Sequence, residues 1–207
     1  MEEKKYELTE NKKEYNGRTL YQIRALKDFF DVKKGELGGW IEKESNLSQE
    51  GNCWVYDEAT VYHTARVYHN ARVFGNAEVF GNAEVFDDVK VCNDARVYHN
   101  ARVFGNAEIG GYVKVCSCSR IFDTLYNNSE DYYVCMGPIG SRYDNTTAFL
   151  NKDKQIMVAT GCFDGTIEEF KEAVKETHRD NKYARQYNDF IEYVEKRFKD
   201  ILEEDNN

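Results

Sequence analysis

Between Cys53 and Ile121 an aliphatic side chain returns at every sixth position without exception: Val55, Val61, Val67, Val73, Val79, Val85, Val91, Val97, Val103, Ile109, Val115 and Ile121. A companion series lies two residues earlier, from Cys53, Ala59, Ala65, Ala71, Ala77 and Ala83 through Val89, Ala95, Ala101 and Ala107 to Val113. A period of six matches neither a helix nor simple strand alternation. Within each hexad, the two apolar positions flank a mostly polar residue, so both point to one side of a short strand. The Gly-Asn or His-Asn pair that follows is turn chemistry, because Gly adopts positive φ at little cost and Asn tolerates it. Each hexad therefore predicts one short strand and one corner. Three hexads close a triangular coil of 18 residues, and successive coils stack about 4.8 Å apart through parallel backbone hydrogen bonds. The segment RVYHNARVFGNAE occurs at 66–78 and again at 96–108, five hexads apart.

An 18-residue coil predicts which outward residues stack. Arg66, Glu84 and Arg102 form one column, Glu78, Arg96 and Lys114 a second, and Arg72, Lys90 and Glu108 a third. Aromatic residues follow most of the valines, so Tyr62–Phe80–Tyr98 and Tyr68–Phe86–Phe104 become two aromatic stacks. Tyr56–Phe74 starts a third that Cys92 and Gly110 interrupt. Rings in such columns pack along coil corners or form a subunit interface, since exposed aromatic columns seldom stay in water.

The flanking segments carry other periods. Residues 1–46 read as a β cap: Arg18–Leu26 alternates like a strand, Asn16-Gly17 is a hairpin signal, and Gly38-Gly39 before Trp40 and Ile41 suits an apolar lid. Residues 47–121 form the β-helix of about four coils, and 122–207 a small α+β domain. In that last segment Tyr132–Met136, Thr146–Leu150 and Gln155–Thr160 read as strands, with a turn at Asn151–Lys154. Thr166 and Glu169 form a capping box opening a helix to about His178. A second helix, from about Asn181 to Glu203, turns Tyr187, Phe190, Val194 and Phe198 inward.

Composition narrows the function classes. The chain has 207 residues, 31% of them charged, and a formal net charge of −9. The excess acid lies in the C-terminal segment, with 18 acidic against 11 basic residues after position 121. No Lys/Arg cluster supplies the electrostatic footprint of a nucleic-acid surface, so no nucleic-acid partner is expected. No run of 18 apolar residues occurs and the opening MEEKKYELTE has no apolar stretch, so neither a membrane span nor a secretory signal is expected. Six scattered cysteines without a C-x-x-C spacing point to reduced thiols and a cytoplasmic location.

The repeat V-[FY]-[GH]-N-A-[RE] resembles the hexapeptide-repeat left-handed β-helix family, with residues 53–121 matching its spacing throughout. The leader RTLYQIRALKDFFDVKKGELGGWIEKESNLS at 18–48, together with GPIGSR, TT, GCF-x-GT and TH elements in the tail, is similar to a group of bacteriophage-encoded proteins without a known chemistry. The resemblance implies a mainly β chain: a left-handed parallel β-helix, an N-terminal β cap and a C-terminal α+β domain ending in two helices. It also implies a homotrimer joined along one face, which the columns of Tyr62, Phe80, Tyr98, Tyr68, Phe86 and Phe104 would suit. For a phage protein the location is the host cytoplasm. The role implied is a non-enzymatic interaction protein that binds a host factor during infection, as an inhibitor of a defence protein or a nucleotide signal. A structural scaffold is one alternative.

Acyl transfer is another, because many members of the repeat family are acyltransferases with a His as general base beside a loop extruded from the β-helix. No such loop interrupts Val55–Val115, and His63, His69 and His99 stand where other hexads have Gly at the corner. A zinc site of the γ-carbonic-anhydrase kind is disfavoured within one chain. His63 and His99 lie two coils apart, about 9–10 Å, against Zn–N bonds of about 2.0–2.1 Å. No metal or cofactor is therefore expected.

The tail offers the remaining candidates. Ser141 and Arg142 follow Gly137, Pro138 and Gly140, and Cys162 and Thr166 flank the expected helix start. Glycines beside a helix N-terminus can cradle an anion, and Arg142 can grip a phosphate or carboxylate. Ser141, Arg142, Thr146, Thr147, Cys162 and Thr166 are the candidate ligand-binding set, and a host protein or a small anionic molecule the candidate partner. Arg66, Arg72, Arg96 and Arg102 could hold an anion in an inter-subunit groove instead. A Cys162–His178 nucleophile–base pair is disfavoured, because a helix of about thirteen residues spans roughly 18–20 Å and would separate the two.

Overall fold

The computed structural model describes residues 4–125 and 133–204. Its centre is a parallel β-solenoid. Two-residue strands begin at β4 (Trp54–Val55), β5 (Thr60–Val61) and β6 (Arg66–Val67) and recur in sixes to β15 (Arg120–Ile121). Lys90 pairs with Arg72 above it and Glu108 below it, so each coil takes 18 residues as expected. The twelve aliphatic positions from Val55 to Ile121 are at most 1% exposed, and their companions from Cys53 to Val113 at most 2%. Alternating Ala and Val thus fill the lumen.

The corners show why the hexads bend where they do. In all eleven turns from Asp57 to Ser117, the second residue after the aliphatic one adopts a left-handed conformation, with φ between 50° and 72°. His63, His69 and His99 have φ of 62°, 59° and 58°, equivalent to Gly75 and Gly81 at 68° and 72°. These histidines therefore occupy glycine-type corners. Next to them, Asn side chains ladder between coils, Asn52 to Asn70 at 3.2 Å and Asn82 to Asn100 at 3.0 Å.

The solenoid has about five turns where the hexads alone predict four. Ile41 pairs with Val61 and Leu47 bridges to Val67, both twenty residues on, whereas Val55 pairs with Val73, eighteen on. The first turn therefore begins before position 47 and carries two surplus residues between Leu47 and Val55. The surplus stretches that interval to eight residues and hides the turn from a six-residue reading.

At the N-terminal end of the stack, β1 (Tyr6–Tyr15) and β2 (Arg18–Ala25) form an antiparallel hairpin around Asn16-Gly17. Next, β3 (Leu37–Ile41) pairs antiparallel with β2 and parallel with β5, so the hairpin extends one face into a seven-stranded sheet. The close approach needs Gly38 and Gly39. A Cβ on Gly38 would lie 2.6 Å from the Val55 carbonyl oxygen, and one on Gly39 2.7 Å from that of Ala59. Trp54 is fully buried under this lid, edge-on to Tyr6 at 6.1 Å and Phe29 at 5.3 Å. Lys5, only 1% exposed, donates its ammonium to the carbonyls of Cys53 at 2.9 Å and of Glu50 and Gly51 at 3.3 Å. Burial holds its pKa below the ordinary lysine value.

At the other end lies a four-stranded antiparallel sheet of β16 (Tyr133–Ile139), β17 (Asp144–Leu150), β18 (Ile156–Thr160) and β19 (Phe163–Thr166). Tyr132, expected to open the first of these, lies outside the described residues. The sheet is buried on both faces. Phe149 and Met157 join the lumen core, while Ala148, Leu150 and Val158 join a second core. That second core contains α1 (Ile167–His178) and α2 (Lys182–Glu204). Thr166 and Glu169 form the expected capping box on α1. One expectation fails: Phe163–Thr166 is a strand paired with β18, so Gly161-Cys162 sits in a hairpin turn and not at a helix N-terminus.

Candidate functional site

The outward columns form as the 18-residue register requires. Glu84 lies between two cations, 3.7 Å from Arg66 and 3.1 Å from Arg102, while Glu78 pairs with Arg96 at 2.9 Å and Lys90 with Glu108 at 3.3 Å. Tyr62, Phe80 and Tyr98 stack at 5.1 and 5.0 Å with their planes within 5°. Tyr68, Phe86 and Phe104 stack at 4.9 and 5.5 Å, and Phe122 continues that column to Phe149 in the terminal sheet. Tyr62 is buried beneath the N-terminal hairpin, and the other five rings are half-buried. Arg66 and Arg102 lie over the second column, at 5.3 Å from the Tyr68 ring and 5.4 Å from the Phe86 ring. These two arginines are thus engaged by Glu84 and by rings, and Arg72 lies over Phe30 at 5.0 Å.

The surplus residues of the first turn open a groove of about 690 Å³, lined by Glu44, Gln49, Arg66, Tyr68 and His69. No hexad pattern signals this groove, since it exists because the period breaks. His69 Nδ1 is 2.8 Å from the Asp87 carboxylate one coil on. The His63 backbone N–H instead donates to Glu42 at 2.6 Å. Among the described residues no three His, Cys, Asp or Glu side chains are placed to hold a metal ion.

In the C-terminal unit the candidate residues divide. Ser141, Arg142 and Cys162 line one cleft of about 290 Å³, together with His178, Thr177 and Tyr187. Thr146 and Thr147 lie elsewhere and are buried: Thr146 bonds Thr160 at 2.9 Å, and Thr147 accepts the Arg120 N–H at 3.0 Å. Thr166 caps α1. The expected separation of Cys162 from His178 is overturned by β19. That strand carries the chain away from the Gly161-Cys162 turn and α1 runs back beside it, so both side chains line the same cleft. Burial raises the pKa of Tyr187, with the Thr160 hydroxyl and the Arg142 charge opposing the shift. All six cysteines are free thiols, and Cys162 is exposed.

Coil length, corner geometry and lumen filling together define a hexapeptide-repeat β-helix fold. No family model matches the chain. A 39-residue stretch is 59% identical to the Escherichia coli (strain K12) protein named "Uncharacterized acetyltransferase YdcK". That stretch is 19% of this chain and spans only 12% of the relative's length. No helix among the described residues is long and apolar enough to cross a membrane.

Proposed function

We propose that this chain is a non-enzymatic interaction protein: a rigid β-helix that associates into a trimer along its aromatic columns and presents the C-terminal unit to a partner. The observation that supports this reading is the unbroken 18-residue register from Val55 to Ile121, which leaves no extruded loop to shape an acceptor site. The half-buried rings of the Tyr68 column favour association, because their outward edges gain from removal from water. The resemblance of the leader and tail to phage-encoded proteins supports a host factor as partner, met in the host cytoplasm, with inhibition of a defence protein or nucleotide signal as the outcome.

A second reading, acyl transfer, draws on the acetyltransferase name of the partial relative and on the His69–Asp87 pair at the first-turn groove. One experiment separates them. The binder is expected to sediment at three times 24.2 kDa, to fall to monomer as Phe86→Glu, and to release no thiol from acetyl-CoA. Thiol release that disappears in His69→Asn would establish the enzyme and end the first reading.

A further inference from the structure

We propose that the cleft between the Ser141-Arg142 turn, the Gly161-Cys162 turn and α1 is a binding site for a small molecule with one oxyanion on an apolar body. This goes beyond the interaction role above and stands without it. The volume, about 290 Å³, falls just under the range of ligand pockets, which start at about 300 Å³, so the site suits a small molecule. Its floor is apolar, made by Phe163, Phe170, Ala173 and Val174. Its rim carries Ser141, Arg142, Cys162 and His178.

The charge distribution selects the sign of the ligand. No Asp or Glu lines this cleft, although the surrounding segment holds 18 acidic residues against 11 basic. The nearby carboxylates lie outside the lining: Asp164 acts on Arg120, and Asp144 on both Arg120 and the cleft residue Tyr187. Arg142 forms no ion pair or hydrogen bond among the described residues. Its stem runs over Gly161, where an added Cβ would lie 3.3 Å from Arg142 Cδ. A guanidinium at an acid-free mouth above an apolar floor fits a carboxylate or a phosphate monoester, which it can grip bidentately. The mouth is also held in place from both sides. Arg120 Nη1 donates to the Gly161 carbonyl at 2.7 Å, and Gly140 N–H donates to Gln186 at 3.0 Å. Preorganised turns of this kind lower the entropy cost of binding.

Cys162 is a built-in reporter, since it is exposed and lines the mouth. Its alkylation by iodoacetamide in the intact chain, followed by peptide mass, is measured with benzoate, phenyl phosphate or neutral benzamide present. Benzoate or phenyl phosphate is expected to slow alkylation at least fivefold in a saturable manner, benzamide not at all, and the anion that protects identifies the headgroup. Arg142→Gln should abolish protection while leaving the unprotected rate within twofold. Ala173→Phe, which fills the floor and keeps the charge, should abolish it as well. Failure of both anions to protect, equal protection by benzamide, or protection that survives Arg142→Gln would overturn the proposal.

Discussion

The two ends of the coil stack face one problem, an open lumen with a free backbone edge, and close it differently. At the N-terminal end the hairpin continues one sheet sideways through β3, Trp54 is buried beneath the lid against Tyr6 and Phe29, and the Lys5 ammonium gathers the carbonyls of the irregular first turn. At the C-terminal end a whole antiparallel sheet lies against the last coil. Phe149 and Met157 fill the lumen, and the Thr147 hydroxyl takes the Arg120 N–H. The first closure is a charged plug in a single layer. The second is an apolar one, shared with the core beneath the helices, with the Arg120 guanidinium bonded to the Gly161 carbonyl at its edge. The difference follows from regularity: a turn with surplus residues leaves carbonyls that no strand can reach, so only a long donor such as Lys satisfies them.

The largest test removes the large buried ring at each end. Trp54→Ala and Phe149→Ala should each cost about 3–5 kcal/mol. Both tryptophans, Trp40 and Trp54, lie near the first turn, whereas both helices lie beyond the last. In denaturant, Phe149→Ala should move the helical signal at 222 nm more than tryptophan emission. Equal movement of the two signals would mean that the ends do not unfold separately, contrary to the nearest-neighbour behaviour of stacked repeats.

Next in size are the polar closures. Lys5→Met, which leaves the carbonyls of Gly51 and Cys53 without a donor and that of Glu50 with only the Cys53 thiol, should cost about 2–3 kcal/mol. Thr147→Val, which deprives a single N–H, should cost about 1–2 kcal/mol. A reversed order in urea midpoints would show that the charged plug is the weaker one.

How far the chain announces these arrangements depends on regularity too. Val55 to Ile121 are legible because a lumen that narrow admits only small aliphatic residues at fixed intervals. Ile41 and Leu47 keep the interval between them, but the gap to Val55 breaks it, and the first turn disappears from view. Lys5, inside the run EEKKYE, reads as surface charge, since burial of an ammonium depends on carbonyls about fifty residues away. In the tail, FDGT reads as loop because Gly165 weakens a strand signal, and missing that strand misplaced Cys162 relative to His178. Ser141, Arg142 and Cys162 were legible as polar groups beside glycines. Thr146, Thr147 and Thr166 have the same look but bond within the fold.

The smallest effect concerns the seam between cap and coil. Burial alone would raise the Glu42 pKa, but the His63 N–H and the Arg18 guanidinium, at 2.6 and 2.7 Å, outweigh it and hold the carboxyl below its ordinary value. A lowered carboxylate pKa adds stability above the unfolded-state value and loses it as pH falls through the folded one. Glu42→Gln should therefore cost about 1 kcal/mol at pH 7. Its Tm deficit should begin to shrink as pH falls below the ordinary glutamate pKa of about 4.3 and close once the folded carboxyl is itself protonated. A deficit unchanged from pH 7 to pH 3 would assign the effect to packing.

The 18-residue register also sets a rule for growth. Adding or deleting one full coil would move the C-terminal unit along the stack by about 4.8 Å and leave it seated on the same corner. A gain or loss of six residues would swing it onto a different side of the prism, turning the mouth beside Arg142 to face another direction. Spacing between the lid and the tail can thus vary in steps, as on a ruler, while orientation holds only at every third mark.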